Sequence, residues 1–270
     1  VSEPTVTEPT GEPTGEPTGE AVLAGEITLH GRVLPASNAT FVGEVSGVRC
    51  VYKPVRGERP LWDFPDGTLA AREVASYAVS EAFGWDVVPL TILREGPHGP
   101  GMVQLWREPD PAQDAVDLVP AGRVPAGFRH VFDGLDESDR PISLVHEDTD
   151  GLRRMAVFDV VVNNADRKGG HVLAMPDGHR HGVDHGVTFH VEHKLRTVLW
   201  GWAGEPLTEK EVAGLEKVLD ALRGDLGQRL EELLDPDEVE ATRRRVQRLL
   251  RTGTLPDPQG SWPVIPWPPF

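Results

Sequence analysis

The chain holds a single cysteine, Cys50, in 270 residues. One thiol excludes an internal disulfide and fits a reducing, cytoplasmic compartment. On a predicted strand it reads as a packed side chain rather than a nucleophile. No apolar run approaches the roughly 20 residues that cross a bilayer. The N-terminus lacks the basic-then-apolar order of a signal peptide. Basic charge is also scarce: 27 Lys and Arg stand against 43 Asp and Glu, a formal net charge of −16. That balance argues against a nucleic-acid partner and against unassisted docking to anionic lipid. No His-Glu-x-x-His motif appears, which weakens a zinc-hydrolase reading.

Residues 1–20 form a degenerate Glu-Pro-Thr-Gly repeat. With no apolar side chain after Val6, this tail cannot offset its ordering entropy and is expected to be disordered. It reads as a solubilising linker, with its threonines as alternative phosphorylation sites. At the other end, residues 255–270 place tryptophans between prolines. That pattern cannot be helical and suggests a strap against the body, with a docking peptide as the alternative.

The chemistry concentrates between Phe158 and Phe189. His171-Val172-Leu173-Ala174-Met175 reads as a short strand. Pro176-Asp177-Gly178 is a turn signal, with proline presetting φ and glycine supplying positive φ. His179 to Val183 returns as the partner strand. Pairing centred on Asp177 puts His171 roughly opposite Val183 and Asp184. Asp166 lies just before the hairpin in a polar Asn-Asn-Ala-Asp-Arg-Lys-Gly-Gly loop. Two carboxylates and an imidazole around one small space suit divalent-metal binding and the positioning of a hydroxyl.

A base aspartate five residues ahead of a metal-binding residue, followed by an Asp-Phe-Gly-like aspartate, is the kinase arrangement. Here Asp166 precedes His171 by five, and Asp184-His185-Gly186 follows. Asn164-Ala165-Asp166-Arg167 and Val183-Asp184-His185-Gly186 resemble the phosphatidylinositol 3-/4-kinase-like superfamily, nearest in style to type II phosphatidylinositol 4-kinases and HipA-type bacterial kinases. The resemblance spans roughly Gly31 to Leu250 and is strongest at the catalytic segment. It implies an α+β, two-lobed protein-kinase-like fold. Residues 21–106 would form a strand-rich nucleotide-binding lobe and 107–254 a helical catalytic lobe. It also implies an ATP-dependent transfer of the γ-phosphate to a hydroxyl acceptor, assisted by Mg²⁺ or Mn²⁺.

In that frame Asp166 is the base or hydroxyl-orienting group. Asp184 is the metal ligand, and Arg167 and Lys168 neutralise the γ-phosphate. His171 is a second metal ligand or a phosphate contact. Kinases usually carry Asn there, and imidazole favours Mn²⁺ over Mg²⁺.

The N-terminal half supplies the rest. Predicted strands Gly31–Pro35 and Thr40–Val45 flank Ala36-Ser37-Asn38-Ala39. This loop lacks a protein-kinase glycine pattern, but Ser37 and Asn38 offer donors to phosphates. Lys53, on an inward position of strand Val48–Lys53, needs an anionic partner, and by resemblance contacts ATP phosphate. Glu73, on a predicted helix Thr68–Phe83, is that partner, and Glu81 is the competitor expected to meet solvent. Strands are expected over Val87–Leu93 and Gly101–Trp106. By resemblance Gln104-Leu105-Trp106 enters the hinge that meets adenine.

Residues 107–145, rich in Pro, Asp and Gly, read as an inter-lobe connection. A capping box at Thr208–Glu211 and the Asp235-Pro236 pair each open a C-terminal helix. Arg243-Arg244-Arg245 reads as a solvated face.

Six of ten histidines fall between His171 and His193. They support two rivals: a His/Asp metal-dependent hydrolase, and a kinase fold that binds nucleotide without transferring phosphate. The acceptor (protein, small molecule or lipid) stays open. Residues 187–206, with His190, Glu192, His193, Lys194, Trp200 and Trp202, would lie near it in the family arrangement.

Overall fold

The structure, a computed structural model, describes residues 19–34, 37–259 and 263–270. Residues 1–18 of the acidic tail, and Ala36 of the small-residue loop, lie outside them. The tail ends earlier than expected, because Gly19–Leu23 is a 3₁₀ turn whose Leu23 is buried against the first sheet.

That sheet has five antiparallel strands, β1 (Ile27–Arg32), β2 (Phe41–Val45), β3 (Val48–Pro54), β4 (Thr91–Gly96) and β5 (Gly99–Leu105), in the order β1-β2-β3-β5-β4. β1 starts four residues before its predicted start, at Ile27, which pairs with Val45. β4 begins at Thr91 rather than Val87, and the turn to β5 tightens to Pro97-His98. On β3, Cys50, Tyr52 and Pro54 are buried while Val51 and Lys53 alternate onto the other face, the period-two consequence of the pleat. The packed Cys50 thiol is pushed up by burial and is a core group.

Helix α1 (Leu69–Phe83) packs on β4 and β5. Thr68 precedes it but its hydroxyl makes no cap; it donates to Pro65 O. The Glu58 carboxylate caps instead, accepting from Leu69 N at 3.1 Å and Ala70 N at 2.8 Å. Gly84 ends the helix in the left-handed region at φ 70°, where glycine carries no Cβ penalty. The helix is buried around most of its circumference, because α3 (Glu209–Ala221) and α4 (Asp225–Glu231) also pack on it. One buried ion pair fixes it to the C-terminal half: Arg72 reaches Glu238 at 2.7 Å and Thr188 O at 2.6 Å.

The expected connection over 107–145 carries ordered sheet. β6 (Val116–Pro120), β7 (Phe128–Leu135) and β8 (Pro141–Glu147) form an antiparallel unit in the order β6-β8-β7. β8 leads into α2 (Asp150–Val162), whose Thr149 side chain accepts from Leu152 N. Leu152, Met155, Phe158, Val161 and Val162 of α2 are buried in the main core. Each such side chain contributes about 1.5–3 kcal/mol of transfer free energy.

The hairpin forms as β9 (Val172–Ala174) and β10 (Arg180–Gly182), with Leu173 paired to His181. Val183 N donates to His171 O at 3.0 Å. α5 (Pro236–Thr252) carries a capping box at Asp235 and Glu238 and buries Val239, Val246 and Leu249. Its arginine run is not uniformly solvated: Arg245 donates to Val161 O, His190 O and Thr242 Oγ1. Residues 263–270 lie against the body. Val264 O accepts from Thr197 N and Trp200 Nε1, and Pro269 O accepts from Gly169 N at 2.8 Å. No helix among the described residues is long and apolar enough to cross a membrane.

Candidate functional site

Four segments converge on one cleft. β3 delivers Lys53, α1 delivers Glu73, the loop after α2 delivers Asp166 and Lys168, and the hairpin ends deliver His171 and Asp184. Asn38 and Gly186 also line the space beside Lys53.

Lys53 Nζ lies 2.6 Å from Glu73 Oε1 and 2.9 Å from Asp184 Oδ1. Burial disfavours the Lys53 charge, but the Asp184 and Glu73 carboxylates outweigh it and hold the amine protonated. Burial pushes the Glu73 carboxyl up, and Lys53 opposes that shift. The 2.6 Å contact is that of an ionised pair. Glu73 Oε2 accepts the backbone N–H of His185 at 2.8 Å. One carboxylate thus grips the β3 lysine and the Asp184-His185-Gly186 loop together. Glu81 instead meets Tyr77 and Arg229 at the surface.

Asp184 sits at φ 61°, a conformation Asp tolerates better than most residues. Its side chain is 52% exposed, open to the cleft. The Lys53 charge holds its carboxyl well below the usual range. His171 Nδ1 bonds the Asp166 carbonyl at 2.9 Å, and Nε2 lies 3.5 Å from Asp184 Oδ2. Burial lowers the His171 pKa, leaving a neutral imidazole. The 3.5 Å gap exceeds a normal hydrogen bond. It is near the roughly 3 Å between adjacent donors of a six-coordinate ion with bonds of about 2.1 Å. One imidazole and one carboxylate fit Mn²⁺ better than Mg²⁺, which prefers oxygen alone.

Asp166 is held by its own backbone N–H donating to Asn164 Oδ1 at 3.0 Å. Its carboxyl pKa is pushed up to about 6, first by burial and further by Asp184, against the pull of Lys168. Lys168 Nζ lies 3.9 Å from Asp166 Oδ2 and reaches the same space.

Arg167 requires a correction. It is fully buried, paired with Asp159 at 2.9 Å, and donates to His171 O and Val183 O. It also meets His185 Nε2 at 2.6 Å. With its donors spent inside the fold, it cannot reach a γ-phosphate; it is the buried post on which the loop and hairpin are mounted.

Gln104 and Leu105 end β5, and Trp106 follows it. The Gln104 side chain is buried on Thr91 Oγ1. Leu105 N donates to Leu90 O and Trp106 N to Arg49 O. The amides of Leu105 and Trp106 are therefore committed to neighbouring backbone. Ser37 is exposed, and Asn38 Oδ1 accepts from Arg59 N at 2.8 Å. Trp200 and Trp202 are buried, Trp202 on His146 and Asp148. Lys194 reaches Asp63 at 3.0 Å and Trp62, tying the 61–65 loop to the segment around residue 194.

Sequence reading missed Glu58, Asp159 and Asn164. Asn164 carries the nearest signal, since it stands two residues before Asp166 and its amide donates to Asp159 at 3.0 Å.

No model of a known protein family matches the chain. The chain belongs to the family of Protein Rv2133c of Mycobacterium tuberculosis (strain ATCC 25618 / H37Rv). The two are 51% identical over 264 residues, covering 93% of this chain and 95% of that protein. Among solved structures, the Helicobacter pylori proinflammatory kinase CtkA overlays with a TM-score of 0.42 at 10% identity, covering 84% of this chain and 97% of that one. An overlay that distant assigns no role to any residue of this chain.

Proposed function

We propose that this chain is an ATP-dependent phosphotransferase of kinase-like build that moves a γ-phosphate to a hydroxyl acceptor in the cytoplasm. The observation that carries the reading is one connected constellation: Lys53, Glu73, the 184–186 loop, His171 and Asp166. Residues 21–106 act as the nucleotide-binding part and 107–254 as the catalytic part.

Lys53 leaves Asp184 to contact the triphosphate, while Glu73 keeps its stem in place. Asp166, with its carboxyl near pKa 6, is ionised at neutral pH and accepts the acceptor hydroxyl proton or orients it. Lys168 offsets charge at the transferring group. Asp184 and His171 would hold a divalent ion, which when bound neutralises triphosphate charge. Adenine meets backbone beyond Trp106, since the amides of Leu105 and Trp106 are occupied.

The test is a thermal-shift and γ-phosphate transfer assay with ATP and Mg²⁺ or Mn²⁺. ATP with metal should raise the melting temperature of the wild type and not of Asp184→Ala, because only a ligand bound to the folded state stabilises it. Stabilisation with no phosphate released or transferred, to water or any hydroxyl, would favour the nucleotide-binding, non-transferring alternative. Equal stabilisation of both proteins would overturn the site.

A further inference from the structure

Outside the cleft, the histidines of the hairpin gather with a residue from the other half of the molecule. His179 and His181 lie two apart, so they share a face of β10, and their rings meet edge to face at 4.4 Å between centroids. Asp86, in the turn after α1, comes to the same place. One potential ligand atom from each of the three lies within 4.8 Å of the others. The backbone holds this junction independently: Gly182 N donates to Val87 O at 2.7 Å.

The donor chemistry points to a particular ion. His179 Nε2 meets the Asp86 carbonyl at 2.7 Å. A ring N–H spent on a carbonyl leaves the lone pair on Nδ1, the arrangement that supports metal-ligating histidines. His181 is 97% buried, being 3% exposed, and its Nδ1 has no hydrogen-bond partner. Buried ring nitrogens are normally satisfied, so an orphan beside a second imidazole and a carboxylate calls for a ligand. Two nitrogens and one carboxylate suit Zn²⁺, whereas Mg²⁺ and Ca²⁺ take oxygen sets.

We propose that Asp86, His179 and His181 bind a zinc-class divalent ion that clamps the turn after α1 to the β9–β10 hairpin. Tetrahedral donors around zinc stand roughly 3.4 Å apart at bonds of about 2.0–2.1 Å. Closing the set from 4.8 Å falls to small side-chain rotations, led by the Asp86 carboxylate, which is 62% exposed. A water completes the shell on the exposed side. Arg107 is a cation felt at His181 and works against the ion, so its removal tightens binding. The clamp lies on the hairpin whose open end carries His171 and Asp184, and so stiffens that end without entering the cleft.

The full chain is titrated with Co²⁺ and then Zn²⁺, following cobalt ligand-field absorption and the melting temperature. One tetrahedral Co²⁺ site displaced by Zn²⁺ is expected. His179→Ala and Asp86→Asn, both at partly exposed positions, should weaken it by at least roughly 100-fold. Asp184→Ala should leave it unchanged. The proposal is overturned if the wild type shows no tetrahedral site. Variants that bind like the wild type would overturn it too, as would loss of the site in Asp184→Ala, which would place the ion at the cleft.

Discussion

Asp166 and Arg167 are neighbours with opposite fates, and the difference is testable. Asp166 opens to the cleft, while Arg167 is fully buried on Asp159. Asp166→Asn should cost about 10²–10⁴ in transfer rate with the fold intact. Arg167→Met should instead cost about 3–5 kcal/mol in urea unfolding, because it strands the Asp159 charge inside the protein. The Asp166 carboxyl, raised to about 6, also sets a pH signature. As a base it works only when ionised, so kcat/KM should fall as pH drops through about 6. Lys168 pulls that value down, so Lys168→Met should move the limb to higher pH. The stability sign is the reverse: a raised carboxyl stabilises the fold only while protonated, and that benefit disappears as pH rises through about 6. Asp166→Asn should remove this pH dependence of the melting temperature.

Among the elements, those legible in the sequence were the ones whose determinants are local. The hairpin carries its own turn, Pro176-Asp177-Gly178, and its register follows. The α3 and α5 starts carry capping boxes within four residues. Lys53 and Glu73 were readable because each is a charge on an apolar face. The three-stranded sheet was not readable. β8 is buried on nearly every residue from Ser143 to Glu147, so it lacks the alternation that marks a half-buried strand. Nor was the true cap of α1 readable, since Glu58 stands 11 residues before Leu69. Glu58→Ala should destabilise the protein by about 1 kcal/mol, seen as a lower urea midpoint. Glu238→Ala should cost more, about 3–5 kcal/mol, since it leaves Arg72 buried without its partner.

Across the whole molecule, segments far apart in sequence meet at the 166–169 loop. Pro269 O takes the Gly169 amide, and a Cβ on Gly169 would come within 2.5 Å of the Phe270 ring. Gly169→Ala should therefore lift the end of the strap. Hydrogen exchange should quicken at the amides of residue 169 and its neighbours in the loop while the core of α2 stays protected.

Glu73 makes the cleft indivisible. Its two oxygens serve different masters, the β3 lysine and the amide after Asp184. A movement of α1 that draws Glu73 off one partner displaces the carboxylate that the other partner also holds. On the proposed function, whatever draws Lys53 toward a phosphate is felt at the loop, and whatever orders the loop prepares Lys53. The cleft answers as a single switch, with a carboxylate as its pivot.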